Sequence, residues 1–104
     1  MINTFYLNQD HTYRPCSLQE WANQFEEINK HVADEIINDM RVSTVWLGLN
    51  HNHFNLGNPL LFETMVFTDK DSGNDVYCER YSTWQEAEEG HKKAVQWVKD
   101  GCND

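Results

Sequence analysis

The stretch Val42–Phe67, VSTVWLGLNHNHFNLGNPLLFETMVF, restricts the fold more than any other part of the chain. Two runs of bulky, β-favouring residues flank a loop of His, Asn, Gly and Pro, the pattern of antiparallel strands joined by a turn. The strands are read at Val42–Asn50 and Leu60–Thr68. Side chains alternate along a strand, so Val45, Leu47 and Leu49 share one face and Leu61, Glu63, Met65 and Phe67 share one face. Pairing Val45–Leu49 with Leu61–Met65 sets Glu63 beside Leu47 and groups Trp46, Gly48, Phe62, Thr64 and Val66 on the other side. A one-residue slip would exchange the two faces.

A third strand, Val76–Tyr81, follows the turn-forming Asp69–Asp75 segment, and Thr4–Leu7 reads as a short edge strand. Pro15 closes off any earlier helix. Ser17-Leu-Gln-Glu20 is a capping box. The helix it opens carries Leu18, Trp21, Phe25, Ile28 and Val32 on one stripe and runs to about Lys30 or somewhat beyond. His31–Arg41 fits either a continuation of that helix or a second turn ending near Asn38-Asp39. The last helix starts at Ser82 or Thr83, each with Gln or Glu three residues on, and stops at Gly101. Its stripe is Trp84, Ala87, His91, Val95 and Val98. Glutamates crowd its first half and lysines its second, the order the helix dipole favours. The expected fold is α+β: a three- to four-stranded antiparallel sheet with two amphipathic helices packed on one face, in the order β-α-β-β-β-α, forming one domain over residues 1–104.

With 17 acidic against 8 basic residues and a formal charge of −9, the chain is a poor match for nucleic acid or anionic membranes. A basic protein surface is the complementary partner. Cys16, Cys78 and Cys102 are an odd set without C-x-x-C spacing, so neither a disulfide framework nor a zinc knuckle is indicated. The opening MINTFYLNQDH lacks the order of a signal peptide, and no apolar run reaches membrane-spanning length, which points to a cytoplasmic protein.

Four features could carry chemistry. Glu63 is a lone carboxylate among apolar neighbours. If the helices cover the Leu47 face, it is turned toward the helical layer and desolvated, a setting that raises a carboxylate's pKa as a general acid requires. The structural alternative is a Glu salt-bridged or hydrogen-bonded to Arg80, Tyr81 or a helix amide. His51 and His53, two apart on an extended segment, point the same way and could share a metal with His91 or Glu63 as third ligand, although none stands at a diagnostic spacing. His91 falls on the inward stripe, as a satisfied core histidine or a catalytic base partnering Glu63. Gly90 beside it implies close approach of another element. In the same arrangement the face bearing Trp46 and Phe62 is open, a binding or homodimer surface. Asp69–Asp75 resembles a calcium loop but fails the EF-hand pattern, with Gly73 fifth and Arg80 twelfth. No cofactor motif is present.

The segments VSTVWLGLNHNH, PLLFETMVF and ERYSTWQEAEEGH, with YLNQDHTYRP and SLQEWA before them, resemble a family of small proteins common in bacteriophage genomes. The resemblance covers most of the chain, and RYST-x-x-EA-x-x-GH and FETMVF are its most specific parts. It carries no catalytic residue onto this chain. The family's loop after the first long strand is richer in glycine, often with Asp where Asn50 stands, so the departure falls at His51 and His53. What the resemblance implies is a phage accessory protein in the host cytoplasm. The leading expectation is a binding protein that docks on a host or phage protein, for example inhibiting a defence or regulatory complex. Trp46, Phe62, Glu86, Glu88 and Glu89 would form its surface. The alternative is a small-ligand binder or hydrolase built on Glu63 and His91, with a metal at His51 and His53.

Overall fold

The computed structural model describes residues 3–51, 57–68 and 75–102. Strands β1 (Phe5–Leu7) and β2 (Tyr13–Pro15) form a short antiparallel hairpin. Helix α1 (Leu18–Glu27) opens on the expected capping box: the Ser17 hydroxyl accepts from the Glu20 amide at 3.1 Å, and the Glu20 carboxylate accepts from the Ser17 amide at 3.5 Å. It ends at Glu27 rather than near Lys30, because Ile28 turns to extended backbone and the Lys30 carbonyl accepts from the Trp46 amide at 2.7 Å.

From there the chain enters a four-stranded antiparallel sheet, β3 (His31–Ile37), β4 (Met40–Trp46), β5 (Phe62–Thr68) and β6 (Asp75–Tyr81), in sequential order. The ambiguous His31–Arg41 stretch is therefore a strand and a hairpin turn. Asn38 and Asp39 carry φ of 51° and 64°. Two successive left-handed residues make the two-residue turn whose twist matches the flanking strands, and Asn and Asp tolerate that region best after glycine. Val45 stands opposite Glu63 and Trp46 opposite Phe62, a register two residues from the expected one. A shift of two preserves the division of faces.

The covered face differs from expectation. Helix α2 (Trp84–Lys99), capped by the Thr83 hydroxyl accepting from the Glu86 amide at 3.1 Å, lies on the Trp46–Phe62 face. On that face Val42, Trp46, Phe62 and Val66 are buried under the helix, and Ala87, Gly90 and Ala94 let it settle close to them. Helix α1 sits at the end of the sheet on the same side, with Ile28 packed against the cluster of Phe5, Trp46, Leu61, Phe62 and Ala87. Its Trp21 indole donates to the Leu47 carbonyl at 3.0 Å. Gly48, at φ 71°, lies under that indole, and a Cβ there would strike it. A second cluster, Val42, Val66, Ala94 and Val98, fills the far end of the sheet–α2 interface.

Candidate functional site

Between the two apolar clusters the core turns polar. Along α2 the buried positions run Ala87, His91, Ala94; along β5, Phe62, Thr64, Val66; along β4, Trp46, Thr44, Val42. The middle member of each series is polar, and the three meet. Thr44 Oγ1 lies 2.5 Å from Thr64 Oγ1 and 2.7 Å from His91 Nδ1, and His91 Nε2 lies 2.9 Å from Glu35 Oε1 on β3. An ionised carboxylate only accepts, so Nε2 carries the proton and donates to Glu35. Nδ1 is then the acceptor for the Thr44 hydroxyl, whose oxygen accepts from Thr64. Every member has a partner, as a buried polar network requires.

The order carboxylate, imidazole, hydroxyl is that of an acid–base–nucleophile relay. Here it is a structural brace. Thr44 and Thr64 are fully buried and His91 is only 3% exposed, so no substrate reaches the hydroxyl. Of the two readings of His91, the satisfied core histidine is the one the geometry fits. Glu35, Thr44 and Thr64 escaped the sequence reading. The available signal was a threonine at the centre of each apolar strand on the Trp46 face; the assignment of His31–Arg41 hid Glu35.

Glu63 occupies the opposite face of the sheet from His91, so the expected convergence of the two does not occur. It is nonetheless buried, at 9% exposure. Arg80, its neighbour across β6, donates from Nε to Glu63 Oε2 at 2.9 Å, and Cys78 Sγ approaches the same oxygen at 3.6 Å. The structural ion pair is thus the reading the geometry supports. Trp46 and Phe62, expected on an open surface, are 1% and 0% exposed. They are core residues of the α2 interface, in an edge-to-face contact at 5.0 Å, and cannot meet a partner.

Glu86, Glu88 and Glu89 are exposed on α2, as a binding surface needs. Glu86 and Glu89 join Glu79 around a cleft of about 340 Å3 between β6 and α2, walled by Tyr77, Tyr81, Gly90 and Lys93. The close approach expected at Gly90 is made here: a Cβ on Gly90 would fall on the ring and hydroxyl of Tyr81. The Tyr81 hydroxyl is buried without a hydrogen-bond partner among the described residues. Burial pushes this phenol up to about 12; neighbouring Thr64 counters the rise, and Tyr77 and Glu79 add to it. Tyr77 is likewise raised, by burial and by Glu79. The cleft is thus an acidic opening between tyrosine rings.

The His51 amide donates to the Leu60 carbonyl at 3.0 Å, which ties that end of the loop to the sheet. His53 and most of the Asp69–Asp75 turn lie outside the described residues. Among the described residues no three His, Cys, Asp or Glu side chains are grouped to hold a metal ion. No helix among them is long and apolar enough to cross a membrane. No protein-family model matches the chain, and neither the curated proteins nor the solved structures include a significant match to it.

Proposed function

We propose that this chain is a small acidic binding protein, a phage accessory factor that works in the host cytoplasm by docking on the basic surface of a host or phage protein and blocking it. A host defence or regulatory complex is the kind of target such a block would serve. The observation that carries the reading is the cleft between β6 and α2, where Glu79, Glu86 and Glu89 stand around Tyr77 and Tyr81. A partner's Arg or Lys entering there meets three carboxylates and aromatic rings, a combination of ionic and cation–π attraction. Glu88, exposed on the same helix, extends the acidic field. The −9 charge raises the rate of encounter with a basic surface and makes binding fall with salt.

Affinity capture from a bacterial lysate tests this. A partner should co-purify at low salt, release at high salt, and fail to bind a Glu86→Lys/Glu89→Lys chain that remains folded. If nothing co-purifies at low salt, or the doubly reversed chain captures the same protein equally well, the proposal fails.

A further inference from the structure

Strand β6 is an outer strand of the sheet. Among the described elements it touches β5 and α2 and nothing else. Alternate residues of an outer antiparallel strand turn both N–H and C=O away from the neighbour, so β6 presents unpaired backbone groups along its free side. Its pairing with β5 is irregular only toward the Asp75 end, which leaves residues 77–81 in unbroken register. The acidic cleft runs beside that free side. Tyr77, Glu79 and Tyr81 alternate onto the α2 face of β6, and Glu86, Glu89 and Lys93 recur three and four residues apart along the flank of α2. Tyr81 lies against Gly90, and the Tyr77 ring lies 5.0 Å from that of Trp97. The helix thus runs antiparallel to the strand, and the two rows stay side by side.

We infer that the occupant of the cleft is an extended basic segment of the partner protein, added to the sheet as a fifth strand along β6. This rests on the acidic cleft being the docking site and goes further by fixing the shape of what docks. A strand laid beside β6 stands about 4.8 Å farther out and alternates its side chains as β6 does. Five residues alongside 77–81 turn three side chains toward the flank of α2, about 7 Å apart. There they meet Glu79, Glu86 and Glu89, none of which forms an ion pair among the described residues, against a single Lys93. Backbone hydrogen bonds supply the affinity, and the carboxylates select basic side chains, the division of labour in strand addition.

The other outer strand is a poorer site. β3 is bulged between His31 and Ala33, and its acids are engaged, Asp34 by Arg41 and Glu35 by His91. A second copy of this chain is a poorer occupant. Pairing β6 with β6 brings the Glu79, Glu86 and Glu89 rows of the two chains together, and like charges facing across strands destabilise.

The probe is a seven-residue peptide, capped at both ends, that alternates Arg and Val. The readout is amide hydrogen exchange of the full chain, followed by NMR at low salt. Saturating peptide should slow the outward-facing, alternate amides within 77–81 by roughly tenfold or more and leave those of β3 unchanged. Glu79→Lys, at an exposed position, should weaken peptide binding by roughly fivefold or more. A peptide of the same length alternating Glu and Val should not bind. Unchanged affinity of the variant, equal binding of the two peptides, or no binding of the Arg peptide at about 1 mM overturns the inference. So does a peptide that binds without slowing any β6 amide, or that protects β3 instead. Slowing of the β6 amides by raised protein concentration alone overturns it as well, because a second copy would then be the occupant. The acidic cleft is judged separately by affinity capture. A protein captured through Glu86 and Glu89 while the β6 amides exchange freely keeps the docking site and removes only the added strand.

Discussion

Gly90→Ala sets two effects of opposite sign against each other. Inside an exposed helix, replacing Gly by Ala stabilises by about 1 kcal/mol, because glycine loses more backbone freedom on folding. Gly90 is buried, and its missing Cβ is where the Tyr81 ring and hydroxyl lie. Accommodating the methyl requires Tyr81 to swing aside or α2 to lift off the sheet. Overpacking of this kind costs about 1–3 kcal/mol, and an aromatic ring held under a helix belongs to the upper part of that range. Subtracting the propensity gain leaves a net destabilisation of about 1–2 kcal/mol. For a domain of this size each kcal/mol moves Tm by about 4–8 °C. Gly90→Ala should therefore lower Tm by roughly 5–15 °C in a thermal melt. Repeating the change in a Tyr81→Val background removes the obstacle, and there Gly90→Ala should raise stability by about 1 kcal/mol. The sign reversal is the signature. A Gly90→Ala protein that melts higher than wild type would falsify the packing argument, and the same negative effect in both backgrounds would assign the cost to some other contact.

Three further outcomes follow from the same structure. His91→Gln can satisfy Thr44 or Glu35 but not both, and one orphaned buried group costs about 1–3 kcal/mol; urea unfolding should show a loss of about 2 kcal/mol, while partner capture is unchanged. Tyr81→Phe removes a buried hydroxyl that has no hydrogen-bond partner among the described residues, so it should stabilise by about 1 kcal/mol at neutral pH. The Tyr81 phenol titrates at about 12 when folded against 10.0 ordinarily, so wild type loses stability as pH rises from 10 toward 12, and the variant should lose less over that window in alkaline melts. The Arg41 guanidinium hydrogen-bonded to Asp34 holds that carboxyl below its ordinary 3.8. Its folded-state pKa is depressed, so the contribution is present above 3.8 and lost as pH falls below it. Urea midpoints of wild type and Arg41→Gln should differ modestly at pH 6, the pair being exposed, and converge as Asp34 protonates.

Much of the architecture was legible from short-range pattern. The Ser17–Glu20 box, the start of α2 at Ser82 or Thr83, the two long strands and the division of residues between sheet faces all rest on interactions within a few residues or on strict alternation; only the structure chose Thr83. Where such signals were mixed, the reading stalled. HVADEII interleaves acids with apolar residues and shows neither period cleanly, because Glu35 is there to meet His91, 56 residues away. The turn at Asn38-Asp39 was visible as a stop but not as a hairpin, since its type depends on two strands already being paired.

Alternation states which side chains travel together; it does not state which group is covered. Much of the local order in this chain, both helices, the two long strands and the acid excess, is written in neighbouring residues and needs no tertiary contact to be read, whereas β3 is not. The choice of covered face was made by α2, whose Ala87, Gly90 and Ala94 fit the Trp46–Phe62 side and whose His91 finds Thr44 there. That docking turned two aromatic surface candidates into core, sent Glu63 to an ion pair with Arg80, and left Ile36 on the other face 76% exposed. Free energies of burial and hydrogen bonding between elements far apart in sequence decided it, and these are properties of the assembled layers rather than of any one segment.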